Sequence, residues 1–137
     1  MRAIELTTAA LDAAEQALGT GQVVMVNLLW FRDAPDYPEG FADAKPDARS
    51  GYYEGYVGGF TATCQALGIA PELIYAGTQR SGILAGQGDD WDEIVVVRYQ
   101  GFADLRKILE HDTYLTTAKP HRLAAIADWR FIATSSQ

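Results

Sequence analysis

The chain has 137 residues, 48% of them hydrophobic and 21% charged, with a formal net charge of -7 and a pI near 4.6. One core of that size buries roughly two-thirds of the unfolded surface, so a single domain spanning 1–137 is expected. The acidic balance and the scattered basic residues argue against nucleic acid or an anionic membrane as a partner.

Read in chain order, residues 1–6 carry no apolar leader segment, and the longest apolar run, around Val24 to Phe31, is too short to span a bilayer. A cytoplasmic protein is expected. Thr7 or Thr8 can cap a first helix with the apolar stripe Leu11, Ala14 and Leu18, stopped by Gly19 or Gly21. A strand follows at about 22–31. Residues 32–49 hold Pro35, Pro38, Pro46, Gly40 and four aspartates, the composition of a long surface loop or lid.

From Ser50 to Leu67, Tyr53, Tyr56, Phe60, Cys64 and Leu67 recur at three- and four-residue steps, which predicts one helical face. Gly51, Gly55 and Gly59 fall opposite them. Each glycine costs roughly 1 kcal/mol relative to alanine inside a helix, so the stripe implies close approach of another element, unless the helix starts only near Tyr56. A second strand is predicted at Glu72 to Thr78 and a third at Trp91 to Tyr99, joined as a long antiparallel hairpin through Gly88-Asp89-Asp90. Phe102, Leu105 and Leu109 mark a helix, Asp112 can cap a short one, and Pro120 can open another. Asp128 to Thr134 reads as the last strand.

The order is a helix followed by β-α-β-β-α-β. This is the ferredoxin-like split βαβ arrangement, an α+β fold with an antiparallel sheet, an added helix at 1–20 and the fold proper at 21–134. Val23, Met25 and Leu29 alternate with Val24, Val26, Leu28 and Trp30, so the first strand is apolar on both faces. A second copy is the simplest cover. Two sheets packed face to face make a dimeric α+β barrel, a homodimer with a cavity lined by strands.

Two polar residues interrupt the buried strands, Asn27 in the first and Arg98 in the third. An unpaired amide or guanidinium there is costly, so the pair points to a small-molecule site. Arg98 can hold a carboxylate and Asp92, six residues away on the same parity, can orient it. Tyr53, Tyr56, Tyr99 and Tyr114 offer hydroxyls on apolar bodies. These predict a substrate-binding set of Asn27, Arg98, Tyr53, Tyr56, Asp92 and Tyr114, with no catalytic base assigned. The structural alternative is that Arg98 pairs with Glu54, Asp92 or Asp128 and only sets the sheet register.

Other chemistry finds little support. There is no HExxH, P-loop or GxSxG pattern, and Gly86-Gln87-Gly88 lacks the third glycine of a dinucleotide loop, so no cofactor is expected. His111 and His121, the only histidines, read as solvated surface residues, with a proton shuttle or haem ligand as the functional alternative for one of them, and they make no metal site. Cys64, the only cysteine, reads as a small buried hydrophobe, and Trp30, Trp91 and Trp129 as packing or rim residues.

Val24-Met-Val-Asn-Leu-Leu-Trp-Phe-Arg32, Trp91-Asp92 ahead of Val95-Val-Val-Arg-Tyr99, and Asp112-Thr-Tyr114 followed by Arg122 resemble the small bacterial family called domain of unknown function 1330. The resemblance covers about residues 20–134. It implies the dimeric α+β barrel superfamily, which includes cofactor-independent monooxygenases, haem-degrading enzymes, chlorite-dismutase-like proteins and small-molecule isomerases. The resemblance supports the dimer and the barrel pocket; with the polar residues above, the expectation is a small-molecule-binding protein, either an oxygenase-like or isomerase-like enzyme acting on a small acidic or carbonyl compound or a non-catalytic metabolite-binding or stress-response module. No reaction transfers with the fold.

Overall fold

The computed structural model describes residues 6–136; residues 1–5, on which the expected lack of a leader segment largely rests, and residue 137 lie outside the described residues. The chain folds as two compact units, a sheet unit containing Pro71–Phe102, the residues up to Trp30 and those from Asp128, and a helical unit of Phe31–Ala70 with Ala103–Ala127. Among the described residues, no helix is long and apolar enough to cross a membrane.

In the sheet unit, helix α1 (Thr8–Leu18) opens on Thr7, whose hydroxyl accepts from the Ala10 N–H at 3.1 Å, and closes at Gly19 with φ 64°. Strand β1 (Val23–Phe31), β2 (Glu72–Thr78), β3 (Glu93–Tyr99) and β4 (Ile126–Thr134) form one four-stranded sheet in the order β2-β3-β1-β4. This is the α+β, ferredoxin-like arrangement that the element order predicts. β3 runs antiparallel to both neighbours, with Asn27 opposite Val95 and Glu72 opposite Arg98.

Opposed residues in an antiparallel pair share a face, so the register sorts the side chains. Val23, Met25 and Leu29, with Glu93 and Tyr99 across from them, are all buried. On the other parity Val24, opposite Arg98, is buried, Val26, Leu28, Ile94 and Val96 are half-buried, and Trp30 is 44% exposed. β2 continues this second face with Glu72 beside Arg98 and, after a bulge at Ile74, with Tyr75, 55% exposed, beside Val96. The sheet therefore keeps one largely apolar face, with Arg98 and Glu72 at one end of it, partly open to solvent.

In the helical unit, Asp47 starts helix α2 (Ala48–Ser50) by accepting from the Ser50 N–H at 2.8 Å. The chain then widens into a π-helix over Gly51–Tyr56, marked by the Val57 N–H donating to the Tyr52 carbonyl. Helix α3 (Val57–Leu67) follows and ends at Gly68 in the left-handed region, φ 69°. The wide turn changes the predicted aromatic face. Tyr52, which α-helical spacing omits, is buried and stacks on Tyr56 at 5.4 Å with 16° between ring planes, while Tyr53 meets Tyr52 edge-on at 4.9 Å.

Gly51, Gly55 and Gly59 are all buried, as the close-approach reading requires. A β-carbon at Gly51 would stand 3.0 Å from Tyr37 Oη, one at Gly55 would enter the His121 ring, and one at Gly59 would strike the Thr117 carbonyl. What the stripe meets is the pair α5 (Asp112–Thr117) and α6 (Lys119–Ala125), preceded by α4 (Phe102–Glu110). α5 is capped by the His111 side chain, which accepts from the Thr113 N–H at 3.1 Å, and Asp112 is its first residue rather than its cap. Pro120 sits in the first turn of α6, where its missing N–H costs nothing.

Candidate functional site

The predicted site residues divide between the units. In the sheet unit, Asn27 is a clip across three strands: its Nδ2 donates to the Val95 carbonyl on β3 at 3.0 Å, and its Oδ1 accepts from Trp129 Nε1 on β4 at 3.0 Å. Arg98 lies half-buried on the open face, with Nη1 donating to Glu72 Oε1 at 2.8 Å. The ion pair is thus made with the residue opposite on β2, not with Glu54, Asp92 or Asp128. Arg98 Nε is buried and has no hydrogen-bond partner; among the described residues, Arg32 Nε is in the same condition. Asp92 precedes β3, and its N–H donates to the Leu29 carbonyl at 2.8 Å.

In the helical unit, the structure joins two of the predicted tyrosines. Tyr56 Oη and Tyr114 Oη lie 3.2 Å apart, and Arg122 Nη1 donates to Tyr114 Oη at 3.2 Å. Tyr114 is 1% and Arg122 4% exposed. Burial raises both phenols, Tyr56 well above the ordinary tyrosine value and Tyr114 less, with the Arg122 guanidinium opposing the rise in each case. Both therefore stay protonated at neutral pH and act as hydrogen-bond donors and acceptors.

The neighbouring residue departs from expectation. His121, which the sequence presents as a solvated surface residue, is 1% exposed, because α6 turns it against Gly55 while residues 37–45 close over it. Its Nδ1 is 2.7 Å from Tyr37 Oη and its Nε2 is 3.0 Å from Asp43 Oδ2. The Tyr37 and Phe41 rings stack at 5.3 Å, and each meets the imidazole edge-on, at 5.4 and 5.5 Å. The same segment is tied to α6 by backbone bonds, Arg32 N–H to the Ala125 carbonyl at 2.8 Å and Asp36 N–H to the Ala124 carbonyl at 2.9 Å. These occupy carbonyls that the end of a helix leaves free.

Asp43 bonds Lys45 through Oδ1 at 3.0 Å and His121 through Oδ2, and these hydrogen bonds, Lys45 first, hold its carboxyl below the ordinary aspartate value. Tyr37 is raised, mainly by burial, although a hydrogen bond from the Lys45 backbone opposes this. Cys64 is buried on α3, and burial pushes its thiol up to about 11. Among the described residues no group of three His, Cys, Asp or Glu side chains is placed to hold a metal ion.

The fold has solved counterparts. A protein of unknown function from Rhodopseudomonas palustris superposes with a TM-score of 0.83 at 20% identity, covering 100% of this chain and 98% of its own. A structure of a methylated form of it gives the same score and identity over 98% of this chain and 95% of the other. A dimeric protein of unknown function from Bacteroides fragilis, described as having a ferredoxin-like fold, matches with a TM-score of 0.53 at 11% identity, over 85% of this chain and 98% of that one. No family model matches the chain, and no curated protein matches it. These likenesses carry the fold and assign no chemistry.

Tyr37, Asp43, His121 and Arg122 are absent from the set that the sequence predicts. One signal does point toward two of them: three glycines in a stripe demand close partners, and those partners are Tyr37 and Ala125 at Gly51, His121 at Gly55 and the Thr117 backbone at Gly59.

Proposed function

We propose that this chain is a homodimer built through the open apolar face of its sheet, and that it binds a small acidic or carbonyl compound against Arg98. This would make it a dimeric α+β barrel of the kind formed by the domain of unknown function 1330 family it resembles. The observation that carries the reading is Arg98 itself. A buried donor left without a partner costs about 1–3 kcal/mol, and Arg98 Nε is such a donor on a face that, Glu72 apart, is lined by apolar and aromatic side chains. A ligand oxygen satisfies that nitrogen at a site where Glu72 already occupies Nη1. Half-buried Val26, Leu28, Ile94 and Val96, with the more exposed Trp30 and Tyr75, supply the surface that a second copy would cover.

As an enzyme it would be a cofactor-free isomerase or oxygenase, with Arg98 stabilising negative charge that develops on a carbonyl oxygen. Asn27 would hold the strand geometry around it, with Asp92 on the same unit as a further binding residue. The alternative is a module that binds the same compound without turning it over. Sedimentation velocity should report about twice the 14.9 kDa chain mass. Pyruvate or cyclohexanone should raise the melting temperature of the natural protein and not of Arg98→Gln. A monomer at micromolar concentration, or an equal shift in the variant, would defeat the proposal.

A further inference from the structure

We propose that Tyr37, His121 and Asp43 form a proton-relay site in the helical unit, in which the Tyr37 hydroxyl exchanges a proton with the α-carbon of a small enolisable carbonyl compound. The three side chains stand in line: Tyr37 Oη to His121 Nδ1 at 2.7 Å, and His121 Nε2 to Asp43 Oδ2 at 3.0 Å. An ionised carboxylate only accepts, so Nε2 carries the proton it gives to Asp43. In the neutral ring Nδ1 is then a bare acceptor, and the Tyr37 O–H points into it. This is the carboxylate–imidazole–hydroxyl order of the hydrolase triads, with a phenol at the reacting end.

The line runs from the interior to the surface: His121 is 1% exposed, Tyr37 is half-buried, and the Asp43 side chain is 67% exposed. The π-helix presents Gly51 to the hydroxyl and Gly55 to the ring, so no side chain stands between that helix and the line. π-turns concentrate at functional sites. Tyr37 is raised by burial, which disfavours a free phenolate, and a relay avoids one. As the substrate C–H proton passes to Oη, the phenolic proton passes to Nδ1, leaving an enolate, a neutral tyrosine and an imidazolium paired with Asp43. Returning the proton to carbon or to the enolate oxygen closes the cycle without oxidant or metal. Lys45 holds the other oxygen of Asp43, Glu54 acts electrostatically on Lys45, and the next residue, Arg122, is directed to Tyr114.

The choice of carbonyl compounds rests on the function proposed above, whereas the relay rests on the helical unit alone. Its test is deuterium exchange at the α-carbons of pyruvate and cyclohexanone in D2O, followed by proton NMR. The natural protein should accelerate exchange, Tyr37→Phe should lower the acceleration about 100-fold, and Asp43→Asn by at least about tenfold. Asp43 is exposed, so Asp43→Asn should keep its melting temperature within a few degrees and still lose exchange, which a purely structural role would not produce. Nitrogen-15 spectra of His121 should show the Nε2–H tautomer. Exchange no faster than buffer with both probes, exchange that survives both substitutions, or an Nδ1–H tautomer overturns the relay. Catalysed exchange that Tyr37→Phe removes supports it even if Arg98→Gln leaves ligand-induced melting shifts unchanged, so the two proposals fail separately.

Discussion

The His121 imidazole lies directly over the α-carbon of Gly55, in the space where any other residue would put its β-carbon. The glycine on the π-helix is therefore the condition for burying the histidine on α6. A side chain at 55 has to displace the ring, and the ring cannot move without leaving Tyr37 and Asp43.

Gly55→Ala should destabilise the protein by about 1–3 kcal/mol through overpacking, although alanine is the better helix former. Gly58, on the exposed side of α3, has nothing within 4 Å of the place an added methyl group would take, so Gly58→Ala should be neutral or gain up to about 1 kcal/mol. Urea denaturation of both variants checks the pair; equal effects at the two positions would contradict the packing account.

Asn27→Ala removes both ends of the strand clip and leaves the buried Trp129 indole N–H without its acceptor. A loss of about 1–3 kcal/mol is expected, with a shift in tryptophan fluorescence. Asn27→Asp should restore the acceptor for Trp129 while placing a carboxylate beside the Val95 carbonyl, and should recover little of the stability.

Asp43 has a folded-state carboxyl held below its ordinary value, chiefly by Lys45 and then by His121. A depressed acid contributes stability above its unfolded value, about 3.9, and that contribution disappears as the pH falls through the lower folded value. The difference in stability between the natural protein and Asp43→Asn should therefore be steady at neutral pH and shrink below about pH 4. Melting curves across that range test the sign; a difference that grew on acidification would refute the assignment.

Cys64 should resist modification. With its thiol pushed up to about 11 by burial on α3, a disulfide reagent at pH 8 should label the folded protein far more slowly than the urea-unfolded chain. Comparable rates in the two states would show that the α3 packing opens readily.

What the sequence determined by itself is the alternation of elements and the demand for a close contact at the glycine stripe. β2 lies at Glu72–Thr78, the span its residues predict, because strand and turn chemistry are local. Thr7 caps α1 and Gly19 closes it for the same reason. β4 begins at Ile126 rather than at Asp128, and the π-turn at Gly51–Tyr56 replaces regular helix, since neither a helix-to-strand join nor a widened turn leaves a mark on apolar spacing.

Polar partnerships were decided by the tertiary structure alone. Arg98 pairs with Glu72, 26 residues away, because a bulge-bearing edge strand brings them opposite each other. His121 meets Asp43 across 78 residues and Tyr37 across 84. Periodicity reports which face of its own element a side chain occupies, and nothing in it states what arrives on that face from elsewhere. A histidine between a proline and an arginine looks solvated for that reason, until the glycine across from it leaves the ring room to enter the interior.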